Sequence, residues 1–192
     1  MSMKPSDDSR LYSYADYLNW DEDERVELID GLPYLMVPAP SRRHQQVLLA
    51  LGSQMYFLLK GHKCEVNIAP FDVRLPDNVN DADDKTYTVV QPDLVVVCDT
   101  KKLDERGCLG APDLIVEVIS PATASHDLIR KMSLYEKHQV KEYWIVHPID
   151  QIVMVYRLNN GRYERPDVYA NDGIIFSRVI EGLEIDLKEV FK

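Results

Sequence analysis

Glu117 is the only charge in the core of 111-APDLIVEVIS-120, a run whose valines and isoleucines otherwise read as a buried strand. An isolated buried carboxylate loses on the order of several kcal/mol of hydration, so it needs a cation or a hydrogen-bonding partner. Asp93, in 92-PDLVVVC-98, is the acidic residue best placed to share that cation. Suppose that 92–98 and 114–120 pair as antiparallel neighbours, in the register that sets 98 opposite 114. Residue 95 then faces 117 and residue 93 faces 119. Asp93 and Glu117 project from one face near one end, and Asp113 sits at the far end. A slip of one residue would destroy this convergence. Two converging carboxylates repel, and a divalent cation such as Mg²⁺ (or Mn²⁺) compensates them. Such an ion can activate a water and stabilise charge on a phosphodiester. The competing reading is that Glu117 pairs with a buried Arg or Lys, or lies at a solvated strand end.

A cation could arrive from the next helix. Asp127, Lys131 and Tyr135 fall at i, i+4 and i+8, one stripe of a helix that starts just past Glu117. Lys131 could there orient a nucleophilic water or neutralise a pentavalent transition state. The competing reading is a surface ion pair between Asp127 and Lys131. The histidines at 44, 62, 126, 138 and 147 lack metal-ligand spacing and read as surface or helix-end residues. No HExxH, GxSxG or P-loop pattern is present. Tyr135, Tyr143 and Trp144 read as core packing.

The elements that must position these residues follow from periodicity. Ser13 with Asp16 forms a capping box ahead of a short helix. In 26-VELIDGLPYLMV-37, Asp30-Gly31 divides two apolar runs into a hairpin, ended by Pro38 and Pro40. From Arg42 to Lys60, Val47, Leu48, Leu51, Met55, Leu58 and Leu59 make a helical stripe that Ser41 can cap and Gly61 stops. Strand-like runs follow at 64–70, 71–75, 86–90, 94–98 and 114–119, interrupted by the acidic loop 77-DNVNDADD-84. A helix over about 125–138, capped by Ser125, precedes strands at 143–147 and 151–158, the turn 159-NNG-161 and a short terminal segment at 186–191. This order predicts an α/β (α+β) domain spanning 1–192, with a mixed central β-sheet flanked by helices and a flexible N-terminus over 1–10. The valine-rich runs at 94–98 and 114–119 belong at the centre of the sheet, covered on both faces.

Composition narrows the class. The chain has 192 residues, 45% of them hydrophobic, with no membrane-length apolar run and no secretory signal, so a cytoplasmic protein without membrane contact is expected. Cys64, Cys98 and Cys108 suggest neither a disulfide framework nor a thiolate zinc site. A net charge of −10 excludes a surface that is basic throughout, so any nucleic-acid contact must be local. The pairs Arg42-Arg43, Lys101-Lys102 and Arg130-Lys131 are its candidates.

The succession 27-ELIDG-31, 38-PAPSRRHQQV-47, 72-DVRLP-76, 91-QPDLVVV-97, 110-GAPDLIVEVISPAT-123 and 127-DLIRKMSLYEKHQVKEYWIVHP-148 resembles the Uma-type restriction endonucleases of the PD-(D/E)xK superfamily, over about residues 10–190. The resemblance implies a restriction-endonuclease-like core with an N-terminal helix and hairpin, acting on nucleic acid, DNA rather than RNA, with Mg²⁺ or Mn²⁺ as cofactor. Homodimers are common among such nucleases. Asp93 matches the Asp of the PD motif, and Glu117 the acidic residue of the (D/E)xK motif. The Val118 carbonyl would be a further metal ligand. The motif's Lys is replaced by Ile119, and Lys131 matches the relocated lysine that some members carry on the next helix. Glu27 resembles an acidic residue that many members carry near the metal, usually on a helix. His44 and Asp72 fall in matched segments without a chemical step that requires them. Two functions stay open: a metal-dependent DNA endonuclease, or a non-catalytic member of the fold serving as a nucleic-acid or protein interaction module.

Overall fold

A computed structural model describes residues 10–20, 25–36, 40–119 and 126–192. The N-terminal nine residues, the acidic run 21–24, Pro38 and Ser125 lie outside them. Ser13 and Asp16 exchange the two bonds of a capping box at the start of α1 (Tyr14–Tyr17). β1 (Val26–Ile29) and β2 (Leu32–Leu35) make the hairpin, and Asp30 and Gly31 both hold positive φ, 49° and 80°, as its two-residue turn requires. α2 (Arg42–Leu58) starts at Ser41, whose hydroxyl accepts the His44 N–H.

Then come β3 (Glu65–Ile68), β4 (Val73–Arg74), β5 (Val89–Val90) and β6 (Leu94–Val97). The connection after β6 is folded, containing the small hairpin of β7 (Leu103–Asp104) and β8 (Gly107–Leu109). β9 (Leu114–Val118) leads to α3 (His126–Lys137), β10 (Glu142–His147), β11 (Ile152–Asn159), β12 (Arg162–Tyr163) and β13 (Asp167–Ala170). β14 (Ile174–Phe176), β15 (Glu184–Asp186) and α4 (Leu187–Val190) close the chain.

Among the described residues the strands form a main sheet ordered β12-β11-β10-β9-β6-β3, with β13 also on β11, a second sheet ordered β2-β1-β5-β4-β8-β7, and the pair β14-β15. The main sheet is mixed: β10 runs parallel to β9, with α3 as the crossover between them, and the other pairs are antiparallel. β6 and β9 are buried along their whole length and feed two cores by alternation. Leu94, Val96, Leu114 and Val116 pack with α2 and the C-terminal elements. Val95, Val97 and Ile115 pack with Leu134 and Tyr135 of α3 and with Val73 and Val90 of the second sheet. The mixed α+β arrangement with helices on both faces agrees with the sequence reading. No helix among the described residues is long and apolar enough to cross a membrane.

Two expectations are corrected. β6 and β9 are antiparallel neighbours, but Leu94 pairs with Val116 and Val96 with Leu114, two residues away from the register that set 98 opposite 114. An even shift preserves which side chains share a face, so the convergence survives and becomes closer. Cys64 and Cys98 are joined by a disulfide, although the sequence suggested no bridge. The pairing of Glu65 with Val97 sets the two cysteines opposite each other at the end of β3–β6, a neighbourhood that a separation of 34 residues conceals. Cys108 is free and buried, and burial pushes its thiol up to about 11.

Candidate active site

Continuing the β6–β9 register one step past Leu94 sets Asp93 opposite Glu117. Asp93 follows Pro92 at the start of β6, and its side chain reaches across to β9: Oδ2 accepts the Val118 N–H at 2.8 Å. The same oxygen lies 3.2 Å from His44 Nε2, which the first turn of α2 delivers to this end of the strand. Asp113 is at the other end of β9, accepting the Cys98 N–H at 2.7 Å and the Lys141 ammonium at 2.6 Å.

α3 packs on the face from which Glu117 projects. Lys131 Nζ donates to Glu117 Oε1 and to Glu27 Oε1, each at 2.9 Å. Tyr135, one turn on, donates its hydroxyl to the same Glu117 oxygen at 2.8 Å. Glu27 comes from β1 of the second sheet, a strand rather than the usual helix, and its Oε1 also accepts the Gln91 N–H at 2.9 Å. Lys131, Glu27 and Glu117 side chains are only 13%, 8% and 12% exposed. Lys131 therefore points inward, and the Asp127 side chain lies outside the described residues. The buried Lys that could have satisfied Glu117 as mere structure and the helix-borne Lys of the nuclease pattern are one residue.

Two carboxylates, Glu117 and Glu27, flank one ammonium, and a third, Asp93, lies close enough to Glu117 to act on its charge. Burial pushes the Glu117 carboxyl up to about 7; Lys131 opposes this, while Asp93 and Glu27 reinforce it. Burial disfavours the charge on Lys131, but Glu117 and Glu27 outweigh it and hold the ammonium above its ordinary range. Burial and the adjoining Glu117 raise the Tyr135 phenol far enough that it stays a donor. Burial likewise opposes the charge on His44, but the bond to Asp93 prevails and raises the ring's pKa.

This donor set fits a divalent cation held partly by water. Among the described residues, no three His, Cys, Asp or Glu side chains form a ready cage. Among the described residues, Asp93 Oδ1 and Glu117 Oε2 accept no hydrogen bond, whereas Asp93 Oδ2 and Glu117 Oε1 each take two. In the continued register Val118 faces Pro92, which has no N–H to give the Val118 carbonyl. Two carboxylates and a carbonyl, with an excess of negative charge, suit Mg²⁺, which keeps several waters.

The family described as "Putative restriction endonuclease", Uma2, matches residues 14–188. The chain belongs to the Uma2 family. It is 28% identical over 151 residues to "Uncharacterized protein slr1290" of Synechocystis, covering 77% of this chain and 75% of that protein. The crystal structure of a "putative nuclease belonging to DUF820" from Anabaena variabilis superposes with a TM-score of 0.73 at 19% identity, covering 93% of this chain and 97% of that one, which establishes a shared fold.

In this Uma2 chain, Asp93, Glu117, Lys131, Glu27 and the Val118 backbone meet in one place. From the sequence His44 reads as a surface or helix-end histidine in a matched segment, with no chemical step assigned to it; it is at a helix end, but buried and bonded to Asp93. Tyr135 was read as packing; it is fully buried and also bonds Glu117. Its position four residues after Lys131 carried a signal for this, since both lie on one stripe. Asp72 is separate: it accepts Gln91 Nε2 at 2.9 Å beneath Tyr14 and Tyr17. Gln91 thereby bridges Asp72 and, through its backbone, Glu27.

Proposed function

We propose that this Uma2 protein is a metal-dependent endonuclease that hydrolyses phosphodiester bonds in DNA. The observation that carries the proposal is the 2.9 Å approach of Lys131 to both Glu117 and Glu27, beside an Asp93 whose carboxylate bonds to the residue after Glu117. Asp93, Glu117 and the Val118 carbonyl would hold Mg²⁺ or Mn²⁺. When bound, the ion supplies Lewis acidity toward the phosphodiester and a more acidic water. Lys131 is held protonated, so it acts as donor and positive charge, not as base. It orients the attacking water and offsets charge on the scissile phosphate. Glu27 holds Lys131 from the second sheet, so its ammonium is fixed between two carboxylates. Lys131 thus stands in for the lysine that Ile119 replaces. Arg42 and Lys101 are exposed and available for phosphate contact, whereas Arg43 is bound to the carbonyls of Phe191 and Lys192, and Lys102 to that of Ala111. A homodimer would let two such sites cut both strands.

A non-catalytic interaction module is the second reading, favoured by Ile119 and by the ion pair that Lys131 makes with Glu117. Supercoiled plasmid incubated with Mg²⁺ or Mn²⁺ separates the two. Nicking by the wild-type protein that disappears in Asp93→Ala, Glu117→Ala and Lys131→Ala supports the nuclease. A wild-type protein that binds neither ion at millimolar concentration leaves only the module.

A further inference from the structure

Each candidate metal-binding carboxylate has one oxygen loaded with two hydrogen bonds and one that accepts none from the described residues. Asp93 Oδ2 takes the Val118 N–H at 2.8 Å and meets His44 Nε2 at 3.2 Å. Glu117 Oε1 takes the Lys131 ammonium at 2.9 Å and the Tyr135 hydroxyl at 2.8 Å. Asp93 Oδ1 and Glu117 Oε2 accept none among the described residues.

We propose that His44 and Tyr135 are positioning residues that hold Asp93 and Glu117 as one-oxygen ligands and so select a small six-coordinate cation over Ca²⁺; this rests on the metal-dependent reading of the site. Ca²⁺ takes six to eight oxygens and commonly draws both oxygens of a carboxylate, whereas Mg²⁺ requires near-octahedral geometry at short distance. For either carboxylate to turn and offer both oxygens here, two hydrogen bonds to buried donors would have to break. Neither donor can follow the turning carboxylate. Tyr135 is fully buried, and its ring packs edge-on against Tyr143 with centroids 5.0 Å apart. His44 is 7% exposed and sits three residues after the Ser41 cap, whose hydroxyl binds its backbone N–H. The Nδ1 of His44 is buried without a partner among the described residues, so Nε2, facing Asp93, is the ring atom that has a bond to make. The bond requires the proton to be on Nε2.

Mn²⁺ and Ca²⁺ affinities, measured calorimetrically on the full chain without DNA, test this independently of cleavage. The wild-type protein is expected to prefer Mn²⁺, and His44→Ala and Tyr135→Phe should each shrink the Mn²⁺/Ca²⁺ affinity ratio by about tenfold, the lower end of what removing such supporting bonds costs. His44→Gln, whose amide can donate from a similar place, should restore most of the wild-type ratio. Folded His44→Ala and Tyr135→Phe proteins with an unchanged ratio would overturn the proposal, as would a His44→Gln ratio no better than that of His44→Ala. If His44→Ala does not fold, Tyr135→Phe decides alone. A wild-type protein that binds neither ion would instead overturn the metal-dependent reading itself.

Discussion

Asp93 accepts the backbone N–H of Val118 at 2.8 Å, so the side chain at the start of one central strand is tied to the main chain of the next strand, one residue past Glu117. The spacing between the two carboxylates is therefore held by a hydrogen bond as well as by strand pairing. It also makes Asp93 a structural residue.

Replacing Asp93 should separate these roles. Asp93→Ala strands the Val118 N–H and His44 Nε2, and should cost about 1–3 kcal/mol of stability, the usual penalty for a buried donor left without its acceptor. Asp93→Asn keeps a carbonyl oxygen for Val118 and should unfold within about 1 kcal/mol of the wild type. Both should lose Mn²⁺ binding. Urea denaturation with calorimetric Mn²⁺ titration reads both effects, and equal stability in Ala and Asn would show that the bond to Val118 contributes little.

Lys131→Ala leaves Glu117 and Glu27 facing each other without their shared cation. Removing one partner of a buried ion pair costs about 3–5 kcal/mol. Glu117→Gln with Lys131→Met removes most of that buried charge and should be less destabilised than Lys131→Ala alone. The comparison is made by chemical denaturation at low ionic strength. A Lys131→Ala protein as stable as the wild type would mean that Lys131 is not the counter-ion of this pair.

The Cys64–Cys98 bridge predicts one free thiol, Cys108, in protein denatured without reductant. Cys64→Ser with Cys98→Ser should lose about 2–4 kcal/mol of unfolding free energy, the typical contribution of a bridge that closes a loop of this size. Three thiols titrating in unreduced protein would show the bridge absent.

Asp113 sets a pH dependence away from the candidate metal site. Burial works to raise its pKa, but the Lys141 ammonium and the Cys98 N–H outweigh burial and hold it below the ordinary value of 3.8. Its folded pKa is depressed, so its stabilisation is complete above the ordinary value and is lost as pH falls through the folded one. Acid titration of stability should show a shallower fall below about pH 4 in Asp113→Asn than in the wild type. Identical slopes would remove Asp113 from the acid limb.

Much of the site was legible because chemistry marked it locally. Glu117 stands out among valines, and a buried charge demands a partner whatever the fold. Helical spacing puts Lys131 and Tyr135 on one stripe that begins just past it, which makes Lys131 a candidate partner beside the competing surface pair with Asp127. The hairpin at Asp30-Gly31 is legible from the φ values its turn needs. Alternation also explains why a register misplaced by two residues still put Asp93 and Glu117 on one face: an even shift leaves side-chain parity intact, whereas the true pairing depends on the folded connection between the strands.

The sequence by itself determined which residues carry charge into an apolar sheet, and which strands are buried on both faces. Only tertiary structure decided that Glu27, on a strand of another sheet, closes on Lys131, that His44 arrives from the helix on the opposite face, and that Cys64 meets Cys98. Local periodicity reports which face of an element is apolar. It holds no information about which distant element will cover that face, because that choice is made by packing of the whole core.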